Sequence, residues 1–245
     1  MNLDRIAIAG ADENVRPEDL LELNKRFPFV EWSILYDTEV KALNRFPSLE
    51  WIAELVRLSR QQEAETGSPL RLSLHLCRTA VKGLVRGNLD VLSSIEELMP
   101  AFGRIQLNVI FKNVYEHLTL MPKNIKRLNH SYQIIVQLNG TQLNKEVGAL
   151  LEDSGLDVAY LYDSSGGHGK TASVWLPPFG KYCGYAGGLS PENLEEEIPR
   201  IAAVTGEHPI YLDMESGVRD IDDHFDISRA EIVLKIAEAR IGSEQ

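Results

Sequence analysis

Three short apolar runs in the last third of the chain each end in a carboxylate or in glycines. The first ends at Asp163, the second leads into Gly187-Gly188, and the third precedes Ser216-Gly217. A carboxyl group at a strand end, beside apolar walls, can have a raised pKa and act as a general acid. Glycine turns let backbone N–H groups approach an anion without Cβ interference. The pattern predicts an acid beside a phosphate-binding pair of loops.

These loops need strands to carry them, and the apolar spacing predicts eight. They are expected at residues 5–10, 30–36, 70–77, 104–111, 132–138, 158–163, 181–188 and 209–215. Helices are expected between them at 17–26, 48–64, 79–86, 90–100, 142–154, 190–204 and 226–240. This alternation predicts a parallel sheet, and two successive anion-binding loops near the end of the chain are typical of phosphate-binding (β/α)8 barrels. We therefore expect an α/β fold, a single (β/α)8 TIM barrel with one domain over residues 1–245.

Two segments have weaker signals. Residues 112–130 combine basic side chains with an internal Met-Pro and little periodicity, which predicts a loop with a broken turn of helix. The segment ASVWLPPFG contains two adjacent prolines, so no long helix is expected between the sixth and seventh strands. A cap at Ser190, followed by Pro191, is expected to open the helix after the seventh strand.

The composition excludes several classes of protein. A chain of 245 residues that is 44% hydrophobic can bury one large core. Its net charge of −11 argues against nucleic-acid binding, because no basic patch offsets the acidic balance. No apolar run is long enough for a membrane span, no secretion signal is seen, and two cysteines are too few for a disulfide framework. These features predict a cytoplasmic protein without a metal site or cofactor.

The C-terminal motifs resemble those of the phosphoribosylanthranilate isomerase family. Residues 166–171 (GGHGKT) match that family's GGxGKTF, and residues 186–193 (AGGLSPEN) match its SGGLNPENV. Asp163 and the run from Asp213 to Val218 match its LLD and DVSSGVE patterns. The resemblance implies a barrel that acts on a phosphorylated sugar–amine conjugate. It also implies that Asp163 protonates the ring oxygen and so opens the ribose.

Further residues receive roles from the resemblance. Arg45 matches an arginine that contacts the anthranilate carboxylate, and a guanidinium suits bidentate carboxylate binding. Gln106 lies in a Gln-Leu-Asn run where the family has Gln-Leu-His, and Asp213 is expected to line the pocket. His168 and Lys170 lie in the glycine loop that is expected to close over the ligand. The implied ligand is thus a small phosphorylated metabolite; formation of a homo-oligomer is left open.

The sequence departs from the family where the base should be. The family uses a cysteine in a Lys-Ile-Cys-Gly run at the end of strand one, and here the run is AIAG, with Ala9 at that position. Alanine cannot accept a proton, so little or no phosphoribosylanthranilate isomerase activity is expected. Cys77 ends the third strand, with His75 on the same face, and is the candidate replacement base. A buried structural cysteine is the alternative.

A second departure is Glu215, where the family pattern has a serine beside the phosphate. A carboxylate there repels a phosphate dianion unless it points away or pairs with a cation. Lys170 or Arg219 would be such a cation.

Three hypotheses follow from these residues. The first is a divergent isomerase with Asp163 as general acid, and the second is a non-catalytic phosphate-ligand binder or partner-dependent subunit that has lost the base. A mobile glycine lid and a retained acid favour the first; loss of the cysteine favours the second. The third is an aldolase or epimerase. Such enzymes use a lysine at the end of a strand or a metal held by His and Asp, but no predicted strand ends in such a lysine and the histidines are scattered.

Overall fold

Eight parallel strands close into a barrel in the computed structural model, which describes residues 1–39, 44–128, 130–163 and 172–241. The strands are β1 (Asn2–Ala9), β2 (Val30–Tyr36), β3 (Arg71–Cys77), β4 (Arg104–Asn108), β5 (Gln133–Leu138), β6 (Asp157–Asp163), β7 (Cys183–Ala186) and β8 (Pro209–Met214). Each strand pairs with the next, and β8 pairs with β1. The prediction of a (β/α)8 barrel is confirmed.

The α-helices of the described residues alternate with the strands. They are α1 (Pro17–Arg26), α2 (Leu49–Thr66), α3 (Arg78–Arg86), α4 (Met121–Lys126), α5 (Gln142–Asp153), α6 (Leu194–Thr205) and α7 (Ile227–Glu238). Ser48 caps α2 as expected, because its side chain accepts a hydrogen bond from the N–H of Trp51 at 3.2 Å. Among the described helices, none is both long enough and apolar enough to cross a membrane.

The predicted helix over residues 90–100 is wrong. The structure instead has two short 3-10 helices, Leu89–Leu92 and Met99–Ala101. Local side-chain bonds compete with helix formation here, since Asn88 accepts from the N–H of Asp90 and Ser93 donates to the carbonyl of Asp90. The segment 112–130, expected to be a loop with a broken turn of helix, holds a 3-10 helix (Phe111–Leu120) that is kinked at Val114, followed by α4.

The strands predicted over 104–111 and 181–188 are shorter than expected. β4 ends at Asn108 and β7 ends at Ala186. The β7 strand stops because Gly187 and Gly188 have φ angles of 116° and 66°, which leave the extended conformation. These shortened ends turn the chain into the loops of the barrel mouth.

The barrel has separate apolar clusters outside and inside the sheet. The large cluster fills the space between strands and helices, whereas a smaller one contains only strand residues, among them Ala7, Ala159, Ala186 and Tyr211. Below the smaller cluster, Arg104 stacks on the Tyr211 ring and pairs with the Glu31 carboxylate at 2.9 Å. The lower interior is therefore filled, while the small side chains above it leave room at the opposite, C-terminal end.

Candidate ligand-binding site at the barrel mouth

A cavity of about 310 Å3 opens at the C-terminal end of the barrel. Its walls come from the ends of β3 through β8 and from the loops that follow them. The cavity brings together seven of the residues predicted from the sequence: Gln106, Asp163, Gly187, Gly188, Asp213, Ser216 and Gly217. Cys77 and Arg45 are not part of its lining, and His168 and Lys170 lie outside the described residues.

The two glycine loops pack directly against each other. A Cβ atom added at Gly217 would overlap the carbonyl oxygen of Leu189, so only glycine fits at this contact. Among the described residues, no hydrogen bond uses the backbone N–H groups of Ser216 or Gly217. These N–H groups are therefore available to an anion at the point where the loops meet.

Asn193 holds the first glycine loop in place. Its side chain donates to the carbonyl of Gly188 at 2.7 Å and accepts from the N–H of Ser190 at 2.9 Å. The expected helix start at Ser190 is wrong, because α6 begins at Leu194 and the residues before it form a turn. Sequence reasoning missed this role of Asn193, and the asparagine five residues after Gly188 is the signal that it overlooked.

The floor of the cavity carries three buried polar side chains: His75 is 2% exposed, Gln106 3% and Asp213 7%. Within the described part of the chain, His75 Nε2, Gln106 Oε1 and Asp213 Oδ2 have no hydrogen-bond partner. Burial, together with the positive charge of Arg104, lowers the pKa of His75 to about 3, so its imidazole is neutral. Burial raises the pKa of Asp213 well above its ordinary value, and the nearby Glu215 raises it further.

The raised pKa favours the protonated, uncharged form of Asp213. Asp163, the predicted acid, is also buried, with 7% exposure, and lines the same cavity from β6. The sequence pattern treated Asp213 only as a wall of the pocket. Its raised pKa results from the surroundings that the closed barrel supplies, which strand spacing alone does not reveal.

Ion pairs occupy the side of the mouth above β1 and β2. Arg219 is buried and donates to the carbonyl of Gly10 at 2.6 Å and to the Asp12 carboxylate at 2.9 Å. Although burial acts to raise it, hydrogen bonds from the backbone of Arg45 and from Arg219 hold the pKa of Asp12 below its ordinary value. Asp223 completes this group by accepting from both arginines.

Glu215 pairs with Arg45 and not with Arg219, which corrects the expectation from the sequence; Lys170, the other expected cation, lies outside the described residues. The guanidinium of Arg45 donates to Glu215 at 2.5 Å and to Asp223 at 2.6 Å. One of its nitrogens also lies 3.5 Å from the Ser216 hydroxyl oxygen. The predicted role of Arg45 as a carboxylate ligand for a substrate stays a prediction, and its guanidinium binds two carboxylates of the protein itself.

Ala9 is 1% exposed and packs in a small apolar cluster with Leu35, Cys77 and Phe46. Cys77 thus lies beside the position of the family's base. Burial raises the pKa of Cys77 to about 12, and the Asn108 side-chain amide approaches its sulfur at 3.4 Å. At neutral pH the side chain is a thiol, which is a poor base, and the proposed role of Cys77 as base stays a prediction.

One group of possible metal ligands exists among the described residues. Asp220, Asp222 and His224 bring ligand atoms within 4.8 Å of one another in the loop after β8. Asp220 and Asp222 are exposed, and Asp220 accepts hydrogen bonds from the backbone N–H groups of Asp222 and His224. The carboxylate of Asp220 therefore has a structural task in the turn, and none of the three residues lines the cavity.

No protein-family model matches the sequence, and no curated protein sequence matches it. Solved structures do match over nearly the whole chain. TrpF from Jonesia denitrificans is 15% identical with a TM-score of 0.58, covering 96% of this chain and 97% of its own. The barrel has the fold of a phosphoribosylanthranilate isomerase.

Two further structures agree with this assignment. Phosphoribosyl anthranilate isomerase from Thermus thermophilus is 16% identical, with a TM-score of 0.57 and coverage of 96% of this chain and 99% of its own. A phosphoribosyl anthranilate isomerase in complex with reduced 1-(o-carboxyphenylamino)-1-deoxyribulose 5-phosphate is 17% identical, with a TM-score of 0.55 and coverage of 98% and 100%. The resemblance read from the C-terminal motifs is thereby confirmed at the level of the fold.

Proposed function

We propose that this barrel binds a phosphorylated sugar, or its amine conjugate, in the cavity at its C-terminal mouth. The observation that carries the proposal is that both glycine loops and the buried Asp163, Asp213 and Gln106 line one cavity. The phosphate is assigned to the meeting point of the loops, where the N–H groups of Ser216 and Gly217 are available. The complex of a protein with the same fold, which holds a ribulose phosphate derivative, supports the same chemistry.

The charge balance of the mouth is compatible with an anion at these loops. Glu215 is the carboxylate nearest to the assigned phosphate position in sequence, and its charge is offset by Arg45 at 2.5 Å. Burial raises the pKa of Asp213, which favours its uncharged form. Backbone N–H groups supply a partial positive charge without a counterion of their own, as in other anion-binding turns.

Asp163 is the proposed general acid of a divergent isomerase reaction, in which it protonates a sugar ring oxygen. Its carboxyl group lines the cavity, close to where the sugar must lie if the phosphate is at the glycine loops. A general acid of this kind contributes typically about 10²–10⁴-fold to a rate. Isomerisation also needs a base, and Ala9 cannot supply one.

Non-catalytic ligand binding is the second candidate function. It is favoured by Ala9 being 1% exposed and outside the cavity lining, beside a thiol whose pKa is raised to about 12. Ala9 has no group that accepts a proton, and a thiol with this pKa is a poor base at neutral pH. A binder that has lost the base would retain the phosphate loops and would not need Asp163 to act as an acid.

Calorimetric titration with ribulose 5-phosphate, and with unphosphorylated ribulose as its match, tests the binding proposal. We expect binding of the phosphate only, and a rise in unfolding free energy of about 2.7 kcal/mol at a ligand concentration a hundredfold above Kd. Gly217→Ala should abolish this binding, because its Cβ pushes the two loops apart. Gly103→Ala, whose Cβ meets nothing within 4 Å, is the matched control and should bind normally.

The absence of binding by any phosphosugar would overturn the proposal. Turnover then separates the two candidate functions. Conversion of a bound phosphosugar, followed by NMR and lost in Asp163→Asn without loss of binding, indicates the isomerase. Tight binding without conversion indicates the binder.

A further inference from the structure

The cavity floor contains hydrogen-bonding groups that the described protein does not satisfy. His75 Nε2, Gln106 Oε1 and Asp213 Oδ2 are all on residues at least nine-tenths buried, and all three residues line the cavity. Buried polar atoms are normally hydrogen-bonded, because leaving one unpaired is costly. Three such atoms at one cavity therefore point to a partner that enters from the mouth.

The three groups surround the cavity floor from different strands. His75 on β3 and Gln106 on β4 are register partners, so their side chains are neighbours, while Asp213 projects from β8. A neutral imidazole offers one donor and one acceptor, and the oxygens of Gln106 and Asp213 accept. Hydroxyl groups both donate and accept, so a polyhydroxylated chain satisfies this mixed set. An aromatic ring satisfies none of it.

The cavity is also unfavourable for a second anionic group. No lysine or arginine among the described residues lines it, and the charge of Glu215 in the lining is already paired with Arg45. Arg45, the arginine that the family resemblance assigns to an aryl carboxylate, is held by Glu215 and Asp223. A ligand carboxylate in the cavity would therefore find no lysine or arginine of the described lining to pair with.

The size of the cavity also favours the smaller ligand. A cavity of about 310 Å3 is at the small end of the range for small-molecule sites, about 300–1,000 Å3. A five-carbon sugar phosphate needs less space than the same sugar phosphate extended by a carboxyphenyl group.

We propose that the ligand is a polyhydroxylated sugar phosphate whose hydroxyl groups bond to His75, Gln106 and Asp213, and that an N-aryl amine conjugate is rejected. This inference rests on the proposed function, because it assumes that the phosphate lies at the glycine loops. It selects one of the two ligand classes that the fold alone leaves open.

Calorimetric titration of the full chain with three probes tests the inference. The probes are ribulose 5-phosphate, reduced 1-(o-carboxyphenylamino)-1-deoxyribulose 5-phosphate and inorganic phosphate. We expect ribulose 5-phosphate to bind at least about tenfold more tightly than either of the others. Inorganic phosphate makes no hydrogen bonds to the cavity floor, and the aryl conjugate brings a carboxylate that finds no cation; each loss costs at least about that factor. These comparisons use the wild-type chain and do not depend on a variant folding.

A variant pair then locates the selectivity. Gln106→Leu should weaken ribulose 5-phosphate about tenfold by removing one acceptor from the floor. Gln62→Leu is the matched control, because Gln62 is also a buried glutamine with an unpartnered Oε1 but lies on α2, away from the cavity. It should leave the affinity unchanged.

The results separate the inference from the function beneath it. Binding of the aryl conjugate as tightly as ribulose 5-phosphate, equal binding of inorganic phosphate, or unchanged affinity in Gln106→Leu would each overturn the inference while leaving phosphate binding intact. Failure of all three probes to bind would overturn the proposed function and this inference together.

Discussion

The two sides of the barrel mouth use polar residues in opposite ways. On the ion-paired side, above β1 and β2, Asp12, Arg45, Arg219 and Asp223 satisfy one another. On the cavity side, formed by the ends of β3 to β8, His75, Gln106 and Asp213 keep atoms without a partner in the described residues. Glu215 lies at the border, since it lines the cavity and pairs with Arg45.

This difference shows how one barrel mouth separates structure from binding. Charges that pair with each other close a surface and leave nothing for a ligand, whereas neutral polar groups held in a buried cavity keep their hydrogen-bonding capacity. The family's base position belongs to the closed side, because Ala9 precedes Gly10, whose carbonyl Arg219 binds. Ala9 does not line the open side, where we place the ligand.

Breaking the ion-paired side should have the largest effect. Arg219→Met leaves the Asp12 carboxylate, whose side chain is 1% exposed, without its buried cation. Removal of one partner from a buried ion pair typically costs about 3–5 kcal/mol. We expect a loss of unfolding free energy of about this size in a denaturant titration.

Arg16→Met is the control for that experiment, because Arg16 makes an exposed ion pair with Asp19. The unfolding free energy of Arg16→Met should differ little from that of the wild type, as is usual for surface pairs. An equally small change in Arg219→Met would contradict the view that this side of the mouth is held by its charges.

The stability contribution of Asp213, on the cavity side, should fall as pH rises, whereas that of Asp12, on the ion-paired side, should fall as pH drops. The folded pKa of Asp213 is raised, so its stabilising contribution is present below its unfolded pKa and is lost as pH rises through the folded value. In Asp213→Asn the side chain cannot ionise, so this loss of stability does not occur. The variant should therefore gain stability relative to wild type as pH rises from about 4 towards 8, near the unfolded aspartate pKa and above it.

Asp12→Asn sharpens the comparison. The pKa of Asp12 is lowered, so its contribution is present above the unfolded pKa and is lost as pH falls. This variant should be destabilised most at neutral pH and progressively less in acid. Melting temperatures of the two variants across the same pH series check both signs, and parallel curves would refute the raised pKa of Asp213.

The smallest effect is expected from restoring the family's base. Ala9→Cys should not produce phosphoribosylanthranilate isomerase activity, because residue 9 is buried and outside the cavity lining. If only the base had been lost, the substitution would raise activity by about 10²–10⁴-fold. A rise of that size in a fluorescence assay would mean that the ligand reaches the ion-paired side, and Cys77→Ser would then show whether Cys77 contributes.

Residue types and their spacing specify the parts of this protein that depend on local geometry. Alternating apolar runs and helical patterns predict the closed barrel, and Asp163 and both glycine loops were placed at strand ends that meet in one cavity. Strand ends and glycine turns are specified by neighbouring residues, so their positions can be read from spacing. The side-chain hydrogen bonds of Asn88 and Ser93, which compete with helix formation, also involve only neighbouring residues. The helix-like periodicity of residues 90–100 nevertheless led to the wrong prediction of a helix there.

Long-range contacts in the folded barrel determine which charges meet and which carboxyl group has a raised pKa. Arg45 and Glu215 are 170 residues apart, and Asp12 and Arg219 are 207 residues apart, so no local pattern announces either pair. The raised pKa of Asp213 arises because closure of the barrel buries it near Glu215 and Glu31, from β2. Burial and long-range pairing exist only once β8 joins β1, which is why they determine the chemistry of the mouth and are absent from the sequence pattern.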